Sequence, residues 1–170
     1  MGSVINDPYF DTGMSKQIII SYKVALFEEL SEEDQALVTA ARNAKSGAHA
    51  PYSNFQVGSA VRMEDGSVVI GNNQENAAYP SGLCAERVAL FAAKSQSKGP
   101  INSIAIVAQN EKDKSADAYS CGNCRQVMLE YAGQQDQPIR VMMGSADGSF
   151  IVISDVRHLM PFSFDSKTLG

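Results

Sequence analysis

Cys84 opens the run Cys84-Ala85-Glu86-Arg87, and Cys121 and Cys124 bracket Gly122-Asn123 in a Cys-x-x-Cys. With 3 cysteines in the chain, none is left over. Thiolates suit zinc, and three protein ligands leave a tetrahedral ion one open position, the arrangement of catalytic rather than structural sites. Glu86 follows Cys84 too closely for both to serve comfortably on one ion, so it is spaced to move protons at the open position. These residues point to a hydrolytic metal site.

Other uses of the same residues stay open at this level. Cys-x-x-Cys also serves redox dithiols at a strand-to-helix junction and forms half of many structural zinc sites. A structural site wants a fourth ligand, and His49 and His158 are not in a paired ligand spacing. Such a site would also leave Glu86 idle. Disulfides are disfavoured by the odd count and the absence of a secretory apolar segment. Three thiolates set three negative charges against a dication, which weakens its acidity. Arg87 and Arg125, each directly after a site residue, are candidates to tune the zinc by offsetting that charge, with ion pairing at the surface as the alternative for both.

The bulk composition excludes several classes. At 170 residues, 44% hydrophobic and 19% charged, the chain suits one domain with a sizeable core. A net charge of -5 and a pI near 5.0 argue against a nucleic-acid polymer as partner. No apolar run approaches the roughly 20 residues that span a bilayer, so no membrane role and a cytoplasmic setting are expected. Residues 1–13 are polar and aperiodic, with Met14 as a second start; they read as a flexible N-terminal arm or a cloning remnant ahead of a single domain over 14–170.

The elements that must position the cysteines are legible. Ser31 caps a helix whose apolar stripe is Leu37, Ala40, Ala41 and Ala44, with Gly47 at its end. Phe55–Met63 and Ser67–Gly71 form a hairpin around Asp65-Gly66. A long polar loop, Asn72–Gly82, suits a binding role. Asn73 and Glu75 alternate there on extended chain, so both side chains face one way, ready for paired hydroxyls. Cys84–Lys94 is a helix with Val88, Leu90, Phe91 and Ala92 as its spacing. Ile101–Ala108 is a buried central strand, and Gly122–Tyr131 is a second site helix with Val127 and Leu129 inward. Ile139–Met143 and Phe150–Ser154 are strands around Asp147-Gly148, and an apolar tail ends at Phe164. The fold class is α/β: a three-layer α/β/α sandwich on a mixed, mostly five-stranded sheet, with the hairpin antiparallel and the later crossovers parallel. Both cysteine motifs then fall at helix N-termini, where partial positive charge favours thiolates.

Cys84-Ala85-Glu86-Arg87 with Cys121-Gly122-Asn123-Cys124-Arg125-Gln126-Val127 closely resembles the small homotetrameric cytidine deaminases, in their three-cysteine version. Asn54-Phe55-Gln56-Val57-Gly58, Asn73-Gln74-Glu75-Asn76-Ala77-Ala78-Tyr79 and Leu159-Met160-Pro161-Phe162-Ser163-Phe164 extend the likeness from about Leu30 to Leu169. The resemblance implies one zinc ion per chain on Cys84, Cys121 and Cys124, with Glu86 as proton shuttle. It further implies a nucleoside held by Asn73 and Glu75 at the ribose, Phe55 at the pyrimidine, and Ala85, Tyr79 and Phe164 completing the substrate site. A homotetramer in which neighbours share sites, with Tyr79 and Phe164 as contributed pieces, follows from the same likeness. The implied reaction is hydrolytic deamination of cytidine and 2'-deoxycytidine, with a blasticidin-type nucleoside as the enzymatic rival. Ser120 departs from the pattern, standing where the family usually has proline. Serine can cap the helix start, so the expected effect falls on rigidity and leaves the reaction type alone.

Overall fold

The computed structural model describes residues 16–97, 99–110, 112 and 114–169. The expected arm over 1–13 lies outside the described residues. In chain order the regular elements are β1 (Lys23–Ala25), α1 (Glu32–Ala44), β2 (Gln56–Met63), β3 (Val68–Asn72), α2 (Ala85–Gln96), β4 (Ile101–Gln109), β5 (Ser115–Ala116), α3 (Gly122–Gly133), β6 (Arg140–Gly144) and β7 (Phe150–Ile153). The five expected strands are all present. Two short strands join them, giving a seven-stranded sheet of order β1-β7-β6-β4-β2-β3 with β5 beside β4. Neither short strand carries a legible period, because three and two residues show no alternation.

One pair in the sheet is parallel, β4 with β6, joined through α3; the remaining pairs are antiparallel. β3 and β4 both run against β2, so the crossover through α2 also returns the chain in the same direction. The two hairpin turns close alike. Gly66 and Gly148 take φ +85° and +88°, which favours glycine. Before each, Asp65 or Asp147 accepts from the backbone N–H and hydroxyl of the serine two residues on.

Alternation along the central strands divides their side chains between two cores. Val61 and Met63 of β2, Ile104, Ile106 and Ala108 of β4, and Val141 and Met143 of β6 pack with α2 and α3. Ala60, Ala105, Val107 and Met142 point the other way, against Leu37, Val38 and Ala41 of α1. Strands buried on both faces lose the polar alternation of half-exposed strands, which is why β4 reads as one apolar run. Ser31 caps α1 by accepting from the Asp34 N–H at 3.3 Å. The Asp34 side chain turns inward instead of bonding back to the cap, and pairs with Arg62 of β2 and Arg140 of β6. That arrangement pins α1 across the sheet.

The inward faces of the two site helices differ from the expected ones. On α2 the buried residues are Glu86, Ala89, Leu90 and Ala93 with Ala85, while Phe91 is exposed. On α3 they are Cys124, Met128 and Ala132 with Leu129, and Val127 is partly covered. A glutamate and a cysteine therefore occupy positions of apolar stripes at i, i+3, i+4 and i+7 or i, i+4 and i+8 spacing. Where α2 crosses the sheet edge, Gly71 allows contact a side chain would forbid. A Cβ there would meet the Ala89 nitrogen at 2.4 Å and the Ala85 oxygen at 2.7 Å. Gly71→Ala is expected to cost about 1–3 kcal/mol of stability and to displace the first turn of α2. Urea unfolding should show a lower midpoint at unchanged slope, together with reduced activity.

Candidate active site

The three sulfurs come together from the starts of two helices. Cys84 is the N-cap of α2, Cys121 is the N-cap of α3, and Cys124 lies in the first turn of α3. Their Sγ atoms all lie within 4.8 Å of one another, and Cys84 and Cys121 are 3.9 Å apart. A tetrahedral zinc with bonds of about 2.3 Å separates its sulfurs by about 3.8 Å, so the donor set fits this ion. It is the one group of this kind among the described residues. Cys124 is buried, Cys84 half-buried and Cys121 exposed, so the open side of the trio faces the cavity that Cys84 and Cys121 line.

Electrostatics at the trio favour a thiolate. The hydrogen bond from Cys124 pulls the Cys84 pKa down to about 5 against the opposing effect of burial, and Arg87 assists. The same bond, with burial and the nearby Glu86 charge, pushes the Cys124 thiol up. One proton is thus shared between two sulfurs, and a dication bound there would displace it. Arg87 Nη2 sits 4.0 Å from Cys84 Sγ and donates to the Gly82 carbonyl at 3.3 Å. Arg125 reaches elsewhere: its Nη1 donates to the Leu159 carbonyl at 3.4 Å, which ties α3 to the C-terminal segment.

Glu86 lies in the first turn of α2, 4% exposed, and still lines the cavity. Burial pushes its carboxyl pKa up, and the Cys84 charge adds to the effect. A carboxyl held this way exchanges protons more readily near neutral pH than an ordinary surface acid.

The cavity above these groups measures about 780 Å³. Phe55, Asn73, Glu75 and Tyr79 line it beside Cys84, Glu86 and Cys121. Asn54 takes φ +52°, a left-handed conformation that asparagine tolerates, and so turns the chain into Phe55 and β2. Asn73 is buried; its Oδ1 accepts from the Val57 N–H at 2.8 Å and its Nδ2 donates to the Phe55 carbonyl at 2.9 Å. The amide keeps one N–H and one lone pair free of these bonds. Glu75 accepts from the Tyr52 and Ser53 backbone N–H groups and from the Ser53 hydroxyl. The Ser53 hydroxyl is the main cause of a lowered Glu75 pKa. The polar loop is held by pairing at both ends: Gln74 exchanges hydrogen bonds with Leu83, while His49 donates to Asn73 and accepts from Glu75.

Two expected substrate residues are not in this cavity. Ala85 is fully buried in the first turn of α2, and Phe164 is exposed, its carbonyl accepting from Gln126 Nε2 at 2.9 Å. Several lining residues carried no signal in the sequence, among them Tyr52, Asp117 and Tyr119. Tyr52 meets Tyr79 edge to face with ring centroids 6.3 Å apart, which shapes the mouth. Ser120 does not cap α3; its hydroxyl points into the protein instead.

Residues 31–136 match the family model described as the cytidine and deoxycytidylate deaminase zinc-binding region. A cytidine deaminase of Halalkalibacterium halodurans is 41% identical over 136 residues, covering 80% of this chain and 97% of that protein. One from Sporosarcina psychrophila is 35% identical over 136 residues, covering 80% and 94%. Among solved structures, the crystal structure of cytidine deaminase from Burkholderia pseudomallei superposes with a TM-score of 0.67 at 39% identity, over 76% of this chain and 98% of that one.

Proposed function

Since the chain belongs to the cytidine and deoxycytidylate deaminase family, we propose that it hydrolyses cytidine and 2'-deoxycytidine to the uridine nucleosides and ammonia. The observation that carries this reading is a buried glutamate opening into a cavity beside three convergent thiols, with Asn73 and Glu75 lining the same cavity. Cys84, Cys121 and Cys124 would hold a zinc ion, which would supply Lewis acidity and lower the pKa of a bound water to about 7. Glu86 would take one proton from the attacking water and give it to ring N3 as C4 becomes tetrahedral. It would then take the second proton, from the new C4 hydroxyl, and deliver it to the amine as the C4–N bond breaks and the carbonyl forms. Phe55 packs against the pyrimidine, while Asn73 and Glu75 bond the ribose hydroxyls through the polar capacity their backbone contacts leave free. Arg87 offsets part of the thiolate charge.

Glu75 has a second task in this reading, because its carboxylate holds the Tyr52–Ser53 turn at the cavity lip. Glu75→Ala is expected to raise KM about tenfold with kcat largely kept, as loss of bonds to a charged group would do. The wild type should lose affinity at acid pH. The folded pKa lies below the unfolded one, so the bonds persist above the unfolded value and fail as pH falls through the folded one. A KM flat across that range would refute the role.

Deamination followed by ultraviolet absorbance across cytidine, deoxycytidine, a cytidine nucleotide and blasticidin S tests the substrate class. Turnover is expected for the first two. Turnover of the antibiotic or the nucleotide without cytidine would overturn the reading. We assign the chain to a homotetramer whose subunits share sites, which the exposed Tyr79, Phe162 and Phe164 support. A monomer active in sedimentation experiments would refute it. No helix among the described residues is long and apolar enough to cross a membrane, and the reaction belongs to pyrimidine salvage in the cytoplasm.

A further inference from the structure

The chain enters the fold through a stretch that leaves its apolar side chains in water. Lys16-Gln17-Ile18-Ile19-Ile20-Ser21-Tyr22-Lys23-Val24-Ala25-Leu26 places Ile18, Ile20, Tyr22, Val24 and Leu26 at every second position. That is the period of a strand with one apolar face. All five are exposed, and so is Ile19, at 85%. Only Lys23–Ala25 is paired, to Phe150–Val152 of β7, so β1 ends the sheet with its outer edge open. An apolar edge of this length is a template for pairing, which proteins usually blunt with charges, bulges or a covering segment. Here the pairing of β1 with β7 shows no bulge, and Lys23 is the one charge between Gln17 and Leu26.

The edge is complementary to itself. Side chains opposite one another in an antiparallel pair share a face. Two copies related by a twofold axis at Ser21 therefore set Ile20 against Tyr22 and Ile18 against Val24 on one face. Aromatic and β-branched pairs of this kind stabilise sheets. The other face sets Ile19 against the aliphatic stem of Lys23 and leaves the small Ser21 at the axis. Charge agrees with the same register. Residues 16–26 carry Lys16 and Lys23 and no acid, on a chain of net charge -5. Lys16 of one copy falls opposite Leu26 of the other, beside the exposed Glu28, and no two lysines oppose each other. Glu29 is already engaged, accepting from the Leu26 N–H at 2.8 Å.

We propose that β1 pairs with β1 of a second copy of this chain about a twofold axis at Ser21, continuing the seven-stranded sheet from one chain into the next. The surface is separate from the site sharing assigned above. No residue of 16–26 lines the cavity, and β1 lies at the end of the sheet opposite β3. It also precedes residues 31–136, where the chain matches its family. Pairing gives partners to the open N–H and C=O groups of the edge and takes the apolar ladder out of water. Because each copy uses up the edge of the other, association across this surface closes at two.

The test uses the zinc-loaded full chain. Ser21→Cys puts one thiol of each copy at the axis, and a mild oxidant or a short bismaleimide should join most chains into covalent dimers on a non-reducing gel. Wild type should stay unjoined. So should Lys23→Cys, whose two thiols stand about 13 Å apart along the strands at about 3.3 Å per residue. Tyr22→Lys combined with Val24→Lys should lower the mass in sedimentation about twofold or more, and should abolish the cross-link when added to Ser21→Cys. Both side chains are exposed, so kcat and KM for cytidine should stay within about twofold. Ser21→Cys left unjoined overturns the proposal, as does an unchanged mass in the lysine variant. A ladder covered by the chain's own first residues, or by a different protein, would give both of those results. Lys23→Cys joined as fully as Ser21→Cys overturns it too. Wild type and lysine variant both inactive on cytidine, with the Ser21→Cys cross-link intact, remove the deaminase reading and uphold the pairing.

Discussion

Glu86→Gln is expected to lower kcat by about 10³- to 10⁴-fold while the protein keeps its fold and about one zinc per chain. The amide fills the same space on the inward stripe of α2, so Ala89, Leu90 and Ala93 pack as before. What it lacks is a proton to lose and regain. The variant should also melt no lower than wild type at neutral pH. Burial raises the folded pKa of Glu86 above its unfolded value, so ionising it costs the folded state stability as pH rises through that range. Glutamine carries no such cost, and any advantage should vanish at pH below the unfolded carboxyl value. Activity and stability therefore separate at this one residue. Turnover near wild type in a zinc-loaded Glu86→Gln protein would sink the assignment of Glu86.

Replacing Cys124 with serine is expected to remove zinc and activity together. Cys124 is fully buried on the stripe shared with Met128 and Ala132, so packing holds its sulfur in place. Serine does not ionise near neutral pH, and the two remaining thiolates span two different helices with no third donor. Metal analysis should find bound zinc reduced at least about tenfold, with activity falling in proportion. Because binding energy of a structural joint is also folding energy, the variant should melt below wild type. Stripping the wild type with a chelator should give the same lowered melting, restored by added zinc. Full activity in a metal-free preparation would refute the zinc reading outright.

The cysteine trio and the acid beside it were legible because they are local motifs. Cys84-x-Glu86 and Cys121-x-x-Cys124 depend on spacing within a few residues, and helix starts announce themselves through caps and turns. The hairpins were equally plain, since Asp-Gly demands a positive φ that the backbone adopts at Gly66 and Gly148. Less legible were the inward faces of α2 and α3. There a glutamate and a cysteine replace apolar residues at buried positions, so hydrophobic periodicity led to Val88, Phe91 and Val127 instead. Arg125 shows the same limit. Sequence adjacency put it beside the metal, but a side chain one residue past a ligand on a helix points about 100° away, and it bonds Leu159.

Tyr52, Asp117 and Tyr119 carried no signal because a cavity wall is assembled from segments far apart in sequence. The same holds for Asn73 and Glu75. Their types proclaim hydrogen bonding, yet only the folded chain reveals that Val57, Phe55, Tyr52 and Ser53 already use part of it. By itself, the sequence determined the cysteine trio, the acid beside it and the family, because those reside in residue type and short spacing. Tertiary structure alone decided which side chains line the cavity and where Arg125 goes. Those outcomes depend on where α2 and α3 end up across the sheet, a consequence of long-range packing that no local window contains.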